Sequence, residues 1–157
     1  MLDISPHLTE QLKTVSEQLN QQTQELNDSF LDVEKKLSAM KLGVSAWCPS
    51  VIGVKEEERS GYKFGFCRVY SDWKLVCRQV SLDDPSDHIS TAKIGYGLLR
   101  PINVMPRSVR LEASKLIEEL VSEIIKKAKE YADDVNVAVS DIERQTKNTL
   151  TEDLDNA

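Results

Sequence analysis

Residues 62–80 read YKFGFCRVYSDWKLVCRQV, and the period of this stretch decides the fold class. Tyr62, Phe64 and Phe66 alternate with Lys63, Gly65 and Cys67, the two-residue period of a strand with unlike faces. Trp73, Leu75 and Cys77 then alternate with Lys74, Val76 and Arg78, and Ser71-Asp72 lies between the runs as a tight turn. That is an antiparallel hairpin. Ahead of it, residues 44–48 (Val-Ser-Ala-Trp-Cys) supply a first strand. After a polar loop over 81–90 holding Asp83-Asp84-Pro85, residues 91–97 supply a fourth. The expectation is an antiparallel β-meander of three to four strands over 44–97.

Outside this stretch the period changes to that of a helix. Ser5-Pro6 is a capping residue followed by proline at the first helical position, and Gly43 follows the last periodic residue. Between them Leu8, Leu12, Val15, Leu19, Leu26, Phe30, Val33, Leu37 and Met40 recur at steps of three and four, apart from one longer step. That step, from Leu19 to Leu26, crosses Gln22 and Thr23 and forms a stutter, which unwinds a coiled coil locally. A second helix is expected over 106–148, opened by Pro106 and Ser108 and striped by Val109, Leu116, Leu120, Ile124, Ala128, Tyr131, Val135, Val139 and Ile142. Ile117, Val121 and Ile125 widen its buried face, and the acidic tail 151–157 is expected to be disordered.

Chain length bounds the architecture. With 157 residues, 40% hydrophobic and 29% charged, a single α+β domain over 1–150 with its own core is expected. Helices of roughly 55 and 60 Å overhang strands of roughly 20 Å. The long helices are therefore expected to pair in coiled-coil fashion and to join two or more copies of the chain. A monomer whose helices bend over the sheet is the alternative. No apolar run approaches the ~20 residues of a membrane span, so no membrane partner is expected. Cys48, Cys67 and Cys77 are odd in number and lack framework spacing, which suits reduced thiols and a cytoplasmic location.

Charge is unevenly placed within a net −6. Residues 1–42 carry seven acids against four bases, and residues 131–157 seven acids against two. Residues 59–80 invert the sign, with Arg59, Lys63, Arg68, Lys74 and Arg78 against Asp72. Acidic helices disfavour a duplex nucleic acid, whereas a small anion meeting only the sheet escapes that repulsion. Arg100, Arg107, Ser108 and Arg110 form a second basic group at the start of the last helix, where unpaired backbone N–H groups attract phosphate or carboxylate. Tyr62, Tyr70, Trp73 and Tyr96 offer flat surfaces on which a base stacks. The candidate ligand site is accordingly Arg68, Tyr70, Trp73, Lys74, Arg78, Tyr96, Arg100, Arg107, Ser108 and Arg110. A plainer reading has the arginines paired with Glu56, Glu57, Glu58 or the acidic loop, and the aromatics in the core.

Catalytic patterns are poor. His7 and His88 have no partner spacing for a triad or metal site, and Cys67 and Cys77 read as small core residues rather than zinc ligands. No catalytic residue, metal or cofactor is assigned. Three segments carry a resemblance: 42–49 (LGVSAWCP) leaving a long helix, 73–78 (WKLVCR) in the hairpin, and 108–120 (SVRLEASKLIEEL) opening the last helix. Their order resembles the small helix–meander–helix proteins encoded by phages and mobile elements, most without an assigned activity. Some phage proteins of this size sequester nucleotide signals. The resemblance implies a non-enzymatic sponge for a small anionic, nucleotide-like ligand, working in a host cytoplasm as a counter-defence protein. The alternative is a protein-binding adaptor or inhibitor that engages a partner, such as a host protein, through its acidic helices.

Overall fold

A computed structural model describes residues 3–83 and 99–155. The chain begins with α1 (Pro6–Ala39), whose N-terminus is capped by the Ser5 hydroxyl accepting from the Leu8 N–H at 3.4 Å. Lys41 and Gly43, at φ of 51° and 67°, turn the chain out of the helix. Three ten-residue strands follow, β1 (Ala46–Lys55), β2 (Ser60–Val69) and β3 (Asp72–Ser81). A short β4 (Leu99–Pro101) completes an antiparallel meander in the order β1-β2-β3-β4. One 3₁₀ turn (Ile102–Val104) leads to α2 (Arg107–Ser114) and α3 (Ile117–Asp155). The α+β class, with a long helix at either end of a four-stranded sheet, is as the periodicity predicts.

Several boundaries differ, each for a physical reason. Val69 pairs with Asp72, so the hairpin turn is Tyr70-Ser71 rather than Ser71-Asp72, and Tyr70 takes the positive φ of 56° that the reversal needs. β1 runs on past Cys48 to Lys55 because bulges absorb residues that break a plain strand. The first shift brackets Pro49, which has no N–H for the ladder, and the second brackets Gly53 at φ 59°. The fourth strand expected over 91–97 lies outside the described residues, and the β4 described is Leu99–Pro101. The last helix is two helices. At the joint the Leu116 N–H donates to Ala113 O at 2.9 Å in a tightened turn, and the Leu116 carbonyl accepts both the Leu120 N–H and the Cys48 thiol. α3 also continues through 151–155, which were expected to be disordered.

Phe64, Phe66, Leu75 and Cys77 bring one sheet face to a single core with Phe30 and Leu37 of α1, Val109 and Ala113 of α2, and Leu120 and Ile124 of α3. Phe30 meets Phe64 edge-on at 6.1 Å and Trp73 stacks on Phe66 at 5.4 Å. Cys67, Val76 and Val80 are buried on the opposite face, so Cys67 and Cys77 lie on opposite sides of the sheet.

Helix direction follows from the contacts. The Ser38 hydroxyl of α1 lies against the Trp73 carbonyl and Glu34 against Leu75, at the start of β3, whereas Asn20 and Thr23 reach Arg107 at the start of α2. Glu112 of α2 meets Gly53, Glu119 of α3 meets Ser50, and Lys127 and Tyr131 lie beside Val44 and Ser45. α1 and α3 therefore both run opposite to β1, along different borders of the sheet. The first half of α1 leaves beyond the end of β1; the second half of α3 leaves beyond its start. Leu12 is 61% exposed and Ile142 63% exposed, and their neighbours along both overhangs are likewise open. The expected coiled-coil pairing of the two helices is not present within the chain, because their free halves project at opposite ends of the sheet.

Candidate functional site

The ten residues singled out in the sequence fall into separate places. Arg68 and Tyr70 sit at the β2–β3 turn, where Tyr70 is 97% exposed. Trp73 is half-buried against Phe66 on the core face, so its ring is already stacked. Lys74 lines a cleft of about 260 Å³ between α1 and the 3₁₀ turn, in company with Asp28 and Glu34. That volume is below the usual ~300–1,000 Å³ of a small-molecule site. Arg100 is exposed on β4, and Tyr96 lies outside the described residues.

Arg78 projects from the face opposite the helices. Its guanidinium lies 4.3 Å from the centre of the Trp47 ring, in cation–π geometry. Trp47 in turn lies flat over Gly65, so close that a Cβ there would stand 2.4 Å from the indole Cε3. Glycine at 65 is what lets the indole reach the sheet. Burial pulls the Arg78 guanidinium below its ordinary pKa, with Cys67 acting in the other direction. Trp47 is thus covered by an arginine, on the face of the sheet away from the helices.

Arg107 and Arg110 project from the first turn of α2 onto α1. Arg107 Nε donates to Thr23 Oγ1 at 2.8 Å, and its NH2 approaches Asn20 Oδ1 at 3.5 Å. Arg110 NH1 donates to Asn27 Oδ1 at 2.8 Å, while its buried Nε has no hydrogen-bond partner among the described residues. Both are held by neutral side chains rather than carboxylates, which leaves the positive charges unneutralised by the contacts that position them. Ser108 is exposed beside them, and α2 starts from Pro106 without a side-chain cap. Of the plainer pairings the sequence allows, the one with the acidic loop is seen at Arg59, which bonds Asp83 at 2.8 Å.

The residues missed in the sequence are therefore Asn20, Thr23 and Asn27. Their spacing of three and four places them on one face of α1, and Arg107 and Arg110 are three apart on α2. Thr23 is also the stutter position. Its hydroxyl bonds back to Leu19 O at 2.7 Å and accepts from Arg107, so the polar layer in the stripe is a docking point for an arginine.

Two further groups complete the inventory. Cys48 and Cys77 are buried thiols whose pKa burial pushes up from 9.0 to about 12, with Glu119 and Glu123 adding to the effect at Cys48. Such thiols are poor nucleophiles. Among the described residues, no group of three or more His, Cys, Asp or Glu is placed to hold a metal ion, and no helix is long and apolar enough to cross a membrane. The last group is the pair of overhanging helical stripes: Leu8, Leu12, Val15 and Leu19 on α1, and Tyr131, Val135, Val139 and Ile142 on α3. Each is a seam of the width that receives another helix. Compared with known proteins, the chain matches no family model, no curated protein and no solved structure.

Proposed function

We propose that this chain is a non-enzymatic protein-binding adaptor whose two helical arms, the free halves of α1 and α3, engage helical surfaces. One observation carries the reading: large apolar side chains stay aligned along both arms at helical spacing yet remain exposed from Leu8 to Leu19 and from Tyr131 to Ile142. A contiguous apolar seam of this length marks an interaction surface. The acidic residues beside the seam on α3, among them Asp133, Asp134, Asp141 and Glu143, disfavour a partner with acidic flanks. The test places glutamate in the seams, Leu12→Glu with Val15→Glu and Val139→Glu with Ile142→Glu, and compares complexes isolated from cells with those of the unaltered chain. Loss of all bound protein with an unchanged far-ultraviolet spectrum supports the reading. Unaltered association by both variants overturns it.

A second reading, sequestration of a small anionic, nucleotide-like ligand, is favoured by Arg107 and Arg110. Their charges are unmatched by the neutral groups that hold them, and the Nε of Arg110 is buried without a partner among the described residues. Calorimetry with linear and cyclic nucleotides tests it: Arg110→Ala should abolish the heat of binding. The absence of heat from the unaltered chain would remove this reading and leave the adaptor standing.

A further inference from the structure

We infer that the occupant of the arms is a second copy of the chain, bound across a two-fold axis so that α1 of each subunit lies antiparallel against α3 of the other. The inference rests on the reading of the arms as protein-binding surfaces and names their partner. Surface area is the first argument. A compact monomer of this mass exposes about 8,000 Å², whereas the chain exposes 11406 Å². The excess is several times the roughly 800 Å² per partner that a stable interface needs.

Geometry is the second. Because α1 and α3 run the same way across the sheet and overhang opposite ends, a two-fold rotation perpendicular to them exchanges the ends. The α1 arm of one copy then meets the α3 arm of the other at the same end of the assembly, running in opposite directions. The same contact recurs at the other end, so the interface closes on itself without leaving either seam open. A single two-fold operation thus covers both arms.

Charge is the third argument, and it selects between pairings. The α3 arm over 129–155 carries eight acids against three bases, so two such arms side by side bring like charges together. The α1 arm over 6–22 carries only Glu10, Lys13 and Glu17 and is nearly neutral. Pairing α3 with α1 relieves a repulsion that pairing α3 with α3 builds in.

Light scattering after gel filtration and disulfide trapping test the inference together. The unaltered chain should have about twice its 17.7 kDa mass, and Leu12→Glu with Val135→Glu should return it to one. For trapping, a Leu12→Cys chain and a Val135→Cys chain are oxidised singly and as a mixture; the native Cys48, Cys67 and Cys77 are buried and do not compete. Trapping in the mixture, and in neither chain alone, is the expected result. A monomer mass at every concentration overturns the inference, as does a dimer in which the Val135→Cys chain traps with itself. Should the chain be monomeric while glutamate in the seams still releases a different protein, the second copy is wrong and the adaptor reading survives. If neither assay responds, both fall.

Discussion

Helix carboxylates cover strand N–H groups that the sheet itself leaves unpaired. Glu34 Oε2 accepts from the Leu75 N–H at 2.9 Å, at a point of β3 that the three-residue β4 does not reach. Glu112 accepts from the Gly53 N–H at 3.0 Å, and Glu119 from the Ser50 N–H at 3.2 Å, both on the edge strand β1. Helix side chains thereby satisfy strand donors that would otherwise invite another strand. Replacing Glu34 by alanine should cost about 1–2 kcal/mol in urea unfolding, the range for a charge-assisted bond to backbone, with Glu34→Gln recovering part of it. At Gly65 any Cβ meets the Trp47 indole, so Gly65→Ala should cost about 1–3 kcal/mol and shift tryptophan fluorescence. The buried thiols set a pH dependence. Cys48 and Cys77 stay protonated in the fold up to about 12 while the unfolded chain ionises near 9.0. Their contribution is therefore present below pH 9 and lost as pH rises toward 12. The urea midpoint should fall across that window, and less steeply in a Cys48→Ala, Cys77→Ala chain.

Each long helix is two things at once. The second half of α1 anchors on β3 through Phe30 and Leu37, and the first quarter of α3 anchors through Leu120 and Ile124. Beyond those anchors the same spacing continues with nothing from the sheet to meet it. Phe30→Ala should cost about 3–5 kcal/mol and Leu120→Ala about 2–5 kcal/mol. By contrast, Leu8→Glu should leave the near-ultraviolet signal of the tryptophans unchanged, because the arm stands clear of the core. The joint between α2 and α3 separates two tasks: α2 holds Arg107 and Arg110 against α1, and α3 departs along β1. Helix periodicity runs through that joint unbroken, so the tightened Lys115–Glu112 and Leu116–Ala113 bonds are what reveal it.

Over the whole molecule the helices do outrun the sheet, though by less than expected. Ten-residue strands reach roughly 33 Å at ~3.3 Å per residue, because bulges at Pro49 and Gly53 prolong β1 where a plain strand stops. Thirty-four residues of α1 and thirty-nine of α3 span about 51 and 58 Å. The candidate basic residues divide between the two sheet faces, Arg78 on one and Arg107 with Arg110 at the border of the other. A strand's alternation predicts that Lys74 and Arg78 share a face, but says nothing of which face the helices cover.

The amino-acid order by itself determined the long first helix, the hairpin, the helical character of the last segment and their succession, because local period, caps and turn residues act over a few neighbours. The polar step at Gln22 and Thr23 was likewise legible there, though not which of the two meets the neighbouring helix. Tertiary structure alone decided that Trp47 rests on Gly65 under Arg78, that Arg107 and Arg110 bond neutral side chains of α1, and that the arms leave opposite ends. Those outcomes depend on which face of the sheet takes the helices and in which sense they cross it. That choice is made by the joint packing of residues from 35 to 84 positions apart, and no local pattern encodes it.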